Sequence, residues 1–208
     1  MNNAGILAFE PLPEMSTETF KRFLQVHVVG SFLTTRAAWP HMVEQGAGRV
    51  VMTSSVGMFG PESAAHYAAA KGGVFGLMRA VSVEGRPHGI AANGIIPAAV
   101  TPVVEELSVQ DTDLLSDAFD PSPDLVSPVV AWLAHEDCTV TGELFHVGLG
   151  WVGRIIAGQG PGYADPNLSI ESVRDHWDEI CAVAPFTAIP STHAGLEALM
   201  QSAPVTGS

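Results

Sequence analysis

Three short apolar runs, each too brief for a helix and each set between helical patterns, constrain the fold of this chain most. Residues 49–53, 90–96 and 143–147 are apolar at most successive positions rather than at alternate ones. That is the pattern of strands buried on both faces. Ahead of the first run, Ser16 and Thr17 are N-cap candidates with Glu18 in the first turn, and Phe20, Leu24, Val28, Phe32, Trp39 and Met42 recur at near-helical spacing up to Gly46. Pro40 is expected to kink that helix or split off its last turn. Residues 64–83 read as an alanine-rich helix with Val74, Leu77, Met78 and Val81 on one side. Further helices are expected at about 127–134 and 170–183, a long mobile loop over 101–123, and fraying after Pro204. Helix–strand–helix–strand–helix–strand order, joined by right-handed crossovers, gives a parallel sheet covered by helices.

Composition narrows the partners. The chain has 208 residues, 22 acidic against 9 basic, and a net charge of −13. Nucleic acid and anionic membrane surfaces would be repelled, so neither is expected as a partner. No apolar run approaches the roughly 20 residues of a membrane span, and residues 1–5 lack the features of a signal peptide. Cys138 and Cys181 are far apart, which suits two free, buried thiols in a reducing compartment. A cytoplasmic protein of one domain, residues 1–208, is the expectation. The histidines show no HxxxH or HxH spacing, and Asp111-x-Asp113 lacks the glycine and closing glutamate of a calcium loop, so no metal is expected.

Tyr67-Ala-Ala-Ala-Lys71 puts a phenol and an ammonium four residues apart on one helix face. A tyrosine titrates near pH 10, and a neighbouring cation is expected to lower that value until the phenol can serve as acid or base. Alone the spacing is a weak signal. Here it follows Ser54-Ser55 at the end of a buried strand, so hydroxyl, phenol and ammonium converge at the carboxyl edge of the sheet, where α/β proteins bind ligands.

Asn2-Asn3-Ala4-Gly5, Thr53-Ser54-Ser55, Tyr67-Ala-Ala-Ala-Lys71 and Asn93-Gly-Ile-Ile-Pro97 stand in the order and spacing of the motifs of short-chain dehydrogenases/reductases. The chain resembles that family. The stretches Gln25 to Phe32, Gly48 to Ser55, Gly148 to Gly153 and Val173 to Cys181 are similar to one subgroup, the (3R)-hydroxyacyl-CoA dehydrogenase unit of peroxisomal multifunctional enzymes and its bacterial relatives. The resemblance implies a Rossmann-like three-layer α/β fold with a parallel sheet. It also implies hydride exchange between NAD or NADP and a small hydroxyl or keto substrate. A homo-oligomer is expected from a sheet edge that nothing covers.

By the same resemblance Tyr67 moves the proton, Lys71 holds the nicotinamide ribose, and a strand-end serine bonds the substrate oxygen. Counting along the strand from Arg49 selects Ser55, and counting back from Tyr67 selects Ser54. Ser55 is favoured, because a loop absorbs a deletion more easily than a packed strand. His27 stands where most of the family has an asparagine on a proton path; it reads either as a subgroup mark or as a helix histidine packed in place. Asn3, Ala4, Tyr67, Lys71 and the backbone near Val100 would meet the nicotinamide side of the cofactor.

The family's glycine-rich turn after a first strand is not found in these residues, so the fold is expected to be incomplete, comprising the C-terminal strands and helices with a 184–208 extension. Cofactor binding is then expected to be weak. Gly148-x-Gly150-x-x-Gly153 follows a strand, but what comes after it does not read as a helix, and a dinucleotide loop is not expected there. The competing expectation is an inactive fragment or a dimerising pseudoenzyme. A cofactor-free lyase or dehalogenase is weaker still, since Lys71 is retained.

Overall fold

The computed structural model describes residues 1–100 and 120–203. Most of the loop expected over 101–123, the Asp111-x-Asp113 pair and the tail after Pro204 therefore lie outside the described residues. The sequence reads as one domain, whereas the structure divides into two compact units, Met1–Ile155 and Ile156–Ser208.

In the first unit, Ser16 caps helix α1 (Thr17–Leu24) by accepting the Thr19 N–H at 3.0 Å. The helix passes through a π-helical turn, Gln25–Val29, into α2 (Gly30–Gln45). Pro40 lies inside α2 and does not split it; the irregularity falls at the π turn instead. Gly46, at φ 68°, supplies the left-handed residue that ends the helix. Strand β1 (Gly48–Thr53) follows, then α3 (Ala65–Gly85), β2 (Ile90–Ala98), α4 (Ser127–Ala134), β3 (Leu144–Gly148) and β4 (Trp151–Ile155).

The sheet order is β1-β2-β3-β4. The first three strands are parallel, as the crossovers require, and β4 turns back antiparallel on β3. This hairpin is absent from the sequence reading, which ends at three strands. Its exposed edge residues Trp151 and Val152 give β4 no buried apolar run to read.

Consecutive strand residues part to opposite faces. Val50, Met52, Ala92, Ile96 and Leu144 pack on Val74, Met78 and Val81 of α3, with Trp39 and Met42 of α2 behind them. Val51, Ile95 and Val147 pack on Leu133 of α4, Val126 and Cys138. Three layers result, α2 and α3 on one face and α4 on the other, which is the Rossmann-like architecture expected. Both faces being covered is why the strands are apolar at successive positions. Met52 is fully buried, so truncating it to alanine would cost roughly 2–5 kcal/mol. Two polar ties fix the ends of the sheet. Asn93 donates to the Val140 carbonyl and accepts the Glu143 N–H, pinning the approach to β3. Arg49 donates to the carbonyls of His135 and Glu136 just after α4.

The outer edge of β1 meets Asn2. Its N–H donates to the Val51 carbonyl and its carbonyl accepts the Thr53 N–H, a single parallel bridge to Met52. Its side chain reaches Thr34 and Thr35 of α2.

The second unit holds two antiparallel two-residue strands, β5 (Gly158–Gln159) and β6 (Thr187–Ala188), and three helices. The single helix expected at 170–183 is instead α5 (Ile170–Asp175) and α6 (Trp177–Ile180). They part at His176, whose φ of −110° is not helical and whose ring stacks on Tyr163 at 3.9 Å. Helix α7 (Thr192–Ser202) follows. Both cysteines are free, but only Cys138 is buried; Cys181 is exposed, contrary to expectation. Among the described residues no helix is long and apolar enough to cross a membrane.

Candidate active site

Strand β1 ends at Thr53, and the two serines beyond it part ways. Ser54 stays with the sheet: its N–H donates to the Ile95 carbonyl at 2.8 Å, and its hydroxyl donates to the Lys71 carbonyl at 2.9 Å. It is 2% exposed and ties the strand end to α3. Ser55 turns the other way and caps a 3-10 turn, Val56–Phe59, accepting the Gly57 N–H at 3.1 Å. Its hydroxyl lies beside the Tyr67 ring: a Cβ placed on Gly57 would meet Tyr67 Cε1 at 2.6 Å and Ser55 Oγ at 3.4 Å. Of the two candidate serines, Ser55 faces Tyr67, whereas Ser54 is committed to the Lys71 backbone.

Tyr67 and Lys71 stand one turn apart on α3. The Lys71 ammonium lies 5.5 Å from the Tyr67 ring centroid and donates to the Thr53 carbonyl at 2.9 Å. It is 5% exposed, and among the described residues no carboxylate pairs with it. Burial lowers its pKa to about 8. The Tyr67 phenol departs from expectation. Burial raises its pKa, and the Ser55 hydroxyl only partly offsets the rise. The ammonium sits over the face of the ring, tied back to the strand carbonyl, and desolvation of the phenol sets the direction of the shift.

His27 occupies the π turn, 2% exposed, with its ring edge-on to Tyr67 at 5.6 Å between centroids. Its Nε2 lies 2.9 Å from the Ile6 carbonyl and 3.3 Å from the Ile6 N–H, donating to one or accepting from the other according to tautomer. Burial, and the Lys71 charge after it, lower its pKa. Gly5 is packed so closely on this ring that a Cβ there would meet Cε1 at 2.6 Å. A π turn inside a helix often marks a functional position, because it re-aims one side chain.

Asn3 and Ala4 are exposed and continue from the Asn2–Met52 bridge, level with the end of β1. Val100 follows β2, its N–H donating to the Pro121 carbonyl at 3.0 Å. Ser55, Asn3, Ala4 and Val100 therefore all lie beyond the carboxyl ends of parallel strands, the ligand edge of such sheets.

Gly148-x-Gly150-x-x-Gly153 is the β3–β4 hairpin, with φ of 152° at Gly148 and 77° at Gly150. It opens no helix and offers no phosphate cradle.

Two contributors escape the sequence reading. Gly57 lies under the phenol: a Cβ there would meet Tyr67 ring carbons at 2.6 and 2.7 Å. His66, beside Tyr67, is wholly buried. A signal for His66 exists in the sequence, since the helix begins Ala64-Ala65-His66 with no capping side chain at its first positions.

The model of the family described as short chain dehydrogenase matches residues 1–112. The chain is 39% identical over 208 residues to peroxisomal multifunctional enzyme type 2 of Mus musculus, covering 96% of this chain and 28% of that protein. It is 35% identical over 181 residues to peroxisomal multifunctional enzyme A of Dictyostelium discoideum, covering 86% of this chain and 40% of that one. The structure of full-length peroxisomal multifunctional enzyme type 2 from Drosophila melanogaster superposes with a TM-score of 0.81 at 31% identity, over 96% of this chain and 37% of that chain. Fold and relatives together define a protein of the Rossmann-like class. The chain belongs to the short-chain dehydrogenase family, and it spans well under half the length of these relatives.

The cytoplasmic expectation is corrected by the same relatives, whose names point to the peroxisome rather than the cytoplasm. Free thiols and the lack of a membrane-span or signal-peptide pattern, on which it rested, do not distinguish one reducing compartment from another. The reading as an inactive fragment gains no support from them.

Proposed function

We propose that this chain transfers a hydride between a nicotinamide cofactor and the hydroxyl or keto group of a small substrate, a 3-hydroxyacyl thioester. The gathering of the Ser55 hydroxyl, the Tyr67 ring and the buried Lys71 ammonium at one end of β1 supports the reading. An alcohol–carbonyl redox site needs a donor to the substrate oxygen and a group that exchanges its proton, and these residues supply both. In the direction of reduction, the Tyr67 phenol gives its proton to the carbonyl oxygen while the Ser55 hydroxyl donates to the same oxygen. In oxidation Tyr67 takes the proton back. The nicotinamide, when bound, supplies or accepts the hydride.

The residues fit the nicotinamide end of such a cofactor. The Lys71 ammonium uses one of its three donors on Thr53 and has two left for ribose hydroxyls. Its charge would also stabilise the phenolate that Tyr67 becomes. Asn3, Ala4 and the Val100 backbone would border the ring, and His27 would pass protons between the site and solvent. The thioester follows from the subgroup motifs, and a homo-oligomer from the sparsely paired outer edge of β1.

The test is the oxidation of NADH and of NADPH by the purified protein with a 3-oxoacyl thioester and with a simple ketone. Turnover of the thioester at a higher kcat/KM is expected. Absence of turnover with every pair would refute the assignment.

A further inference from the structure

We propose that His66 is a positioning residue for the Tyr67 phenol, acting as the cap of α3 through its ring Nδ1. This role rests on the reading of Tyr67 as the proton-exchanging group.

The start of α3 poses a local problem. A helix leaves its first N–H groups without intrahelical acceptors, and a Ser, Thr, Asp or Asn at the cap normally supplies one. Here the cap is Ala64, with no side-chain acceptor, and the residue before it, Ser63, is held at φ 54° and offers no cap bond. The gap falls on the turn that carries Tyr67. The Tyr67 N–H donates to His66 Nδ1 at 2.8 Å, so the neighbouring ring takes the place of a cap.

That ring is fixed in turn. His66 stacks on Phe23 of α1, with centroids 3.8 Å apart and planes 20° apart. Phe23 meets the Tyr67 ring edge-on at 6.4 Å. His66 thus holds Tyr67 twice: directly at its backbone, and through Phe23 at its ring. The arrangement leaves His66 Nε2 buried with no partner. With Nδ1 accepting, the neutral ring carries its proton on Nε2, so a donor is left unsatisfied to keep the acceptor aimed at Tyr67. A residue selected for packing alone would be a phenylalanine, which fills the same stack without the orphaned N–H.

That contrast supplies the experiment. The chain has two tyrosines, so a Tyr163→Phe background leaves the Tyr67 phenol to be titrated alone by ultraviolet difference absorbance. His66→Phe keeps the stack and removes the acceptor. His66→Asn keeps an acceptor at the same position along the side chain and removes the stack. The parent phenol should titrate above the ordinary value of about 10. In His66→Phe it should fall towards that value as the first turn loosens and the ring meets water, with thermal stability unchanged or higher. In His66→Asn it should stay near the parent. Where turnover is measured, His66→Phe should lower kcat roughly tenfold or more with KM retained.

A folded His66→Phe with the parent's titration would overturn the proposal, as would a His66→Asn displaced as far as His66→Phe. The parent alone also decides: a nitrogen NMR spectrum with the proton of His66 on Nδ1 excludes the role whether or not the variants fold. A parent that turns over no nicotinamide would remove the functional reading of Tyr67, and the titrations would still decide whether His66 positions it.

Discussion

At Lys71 the chain holds an ammonium that is 5% exposed, with one carbonyl as its acceptor. Its pKa falls from 10.5 in the unfolded chain to about 8 in the folded one. Below pH 8 the side chain is charged in both states and the folded state bears the whole cost of burying that charge. Between 8 and 10.5 the unfolded chain binds the extra proton, so stability rises with pH and the cost is relieved. A shift of this size corresponds to roughly 3 kcal/mol. Lys71→Met should therefore be more stable than the parent at pH 7, by about 1–3 kcal/mol once the lost Thr53 bond is counted, while losing activity. Thermal denaturation at pH 7 and pH 10 measures it. The gain should shrink at the higher pH, and a variant less stable than the parent at pH 7 would show that the ammonium is not penalised by burial.

The step between β1 and α3 separates the two candidate serines. From the sequence, strand counting and helix counting disagree by one residue. In the structure Ser54 is bound to the Lys71 backbone, whereas Ser55 caps the Val56–Phe59 turn beside the Tyr67 ring. Ser55→Ala should lower kcat by about 10²–10³-fold, the usual loss when a donor to a reacting oxygen is removed. Ser54→Ala should cost about 1 kcal/mol of stability and little rate. Matched kinetics and melts of the two variants test this, and the reverse order would place the catalytic hydroxyl on Ser54. Other elements differ in how well the sequence announces them. The strands at 49–53 and 90–96 are legible because two covered faces leave only apolar side chains. The π turn is not, since it shifts one residue within a helix whose composition is unchanged. Nor is the break at His176, where a stack on Tyr163 overrides helical spacing. Tyr67, Lys71 and the serine pair are legible as a motif. The direction of the phenol's pKa is not, because it depends on burial that no spacing records.

Across the whole molecule, the residues proposed to meet ribose and nicotinamide lie at the carboxyl edge of the sheet, whereas the glycine-rich segment at 148–153 closes a hairpin and presents no helix N-terminus for a pyrophosphate. A polypeptide of these 208 residues should thus bind NADH weakly, with saturation well above micromolar concentrations. It should also self-associate, because among the described residues the outer edge of β1 is paired only at Asn2. Fluorescence titration together with the mass in solution checks both, and micromolar saturation by a monomer would show that another segment binds the phosphates. The central claim concerns the proton of Tyr67. Its most direct test is the rate of nicotinamide-dependent conversion of a 3-oxoacyl thioester, at high nucleotide concentration, by the parent and by Tyr67→Phe. Loss of the phenol proton should slow the reaction by about 10²–10⁴-fold, or roughly 3–5 kcal/mol. A phenylalanine variant that keeps nearly the parent's rate would contradict the account.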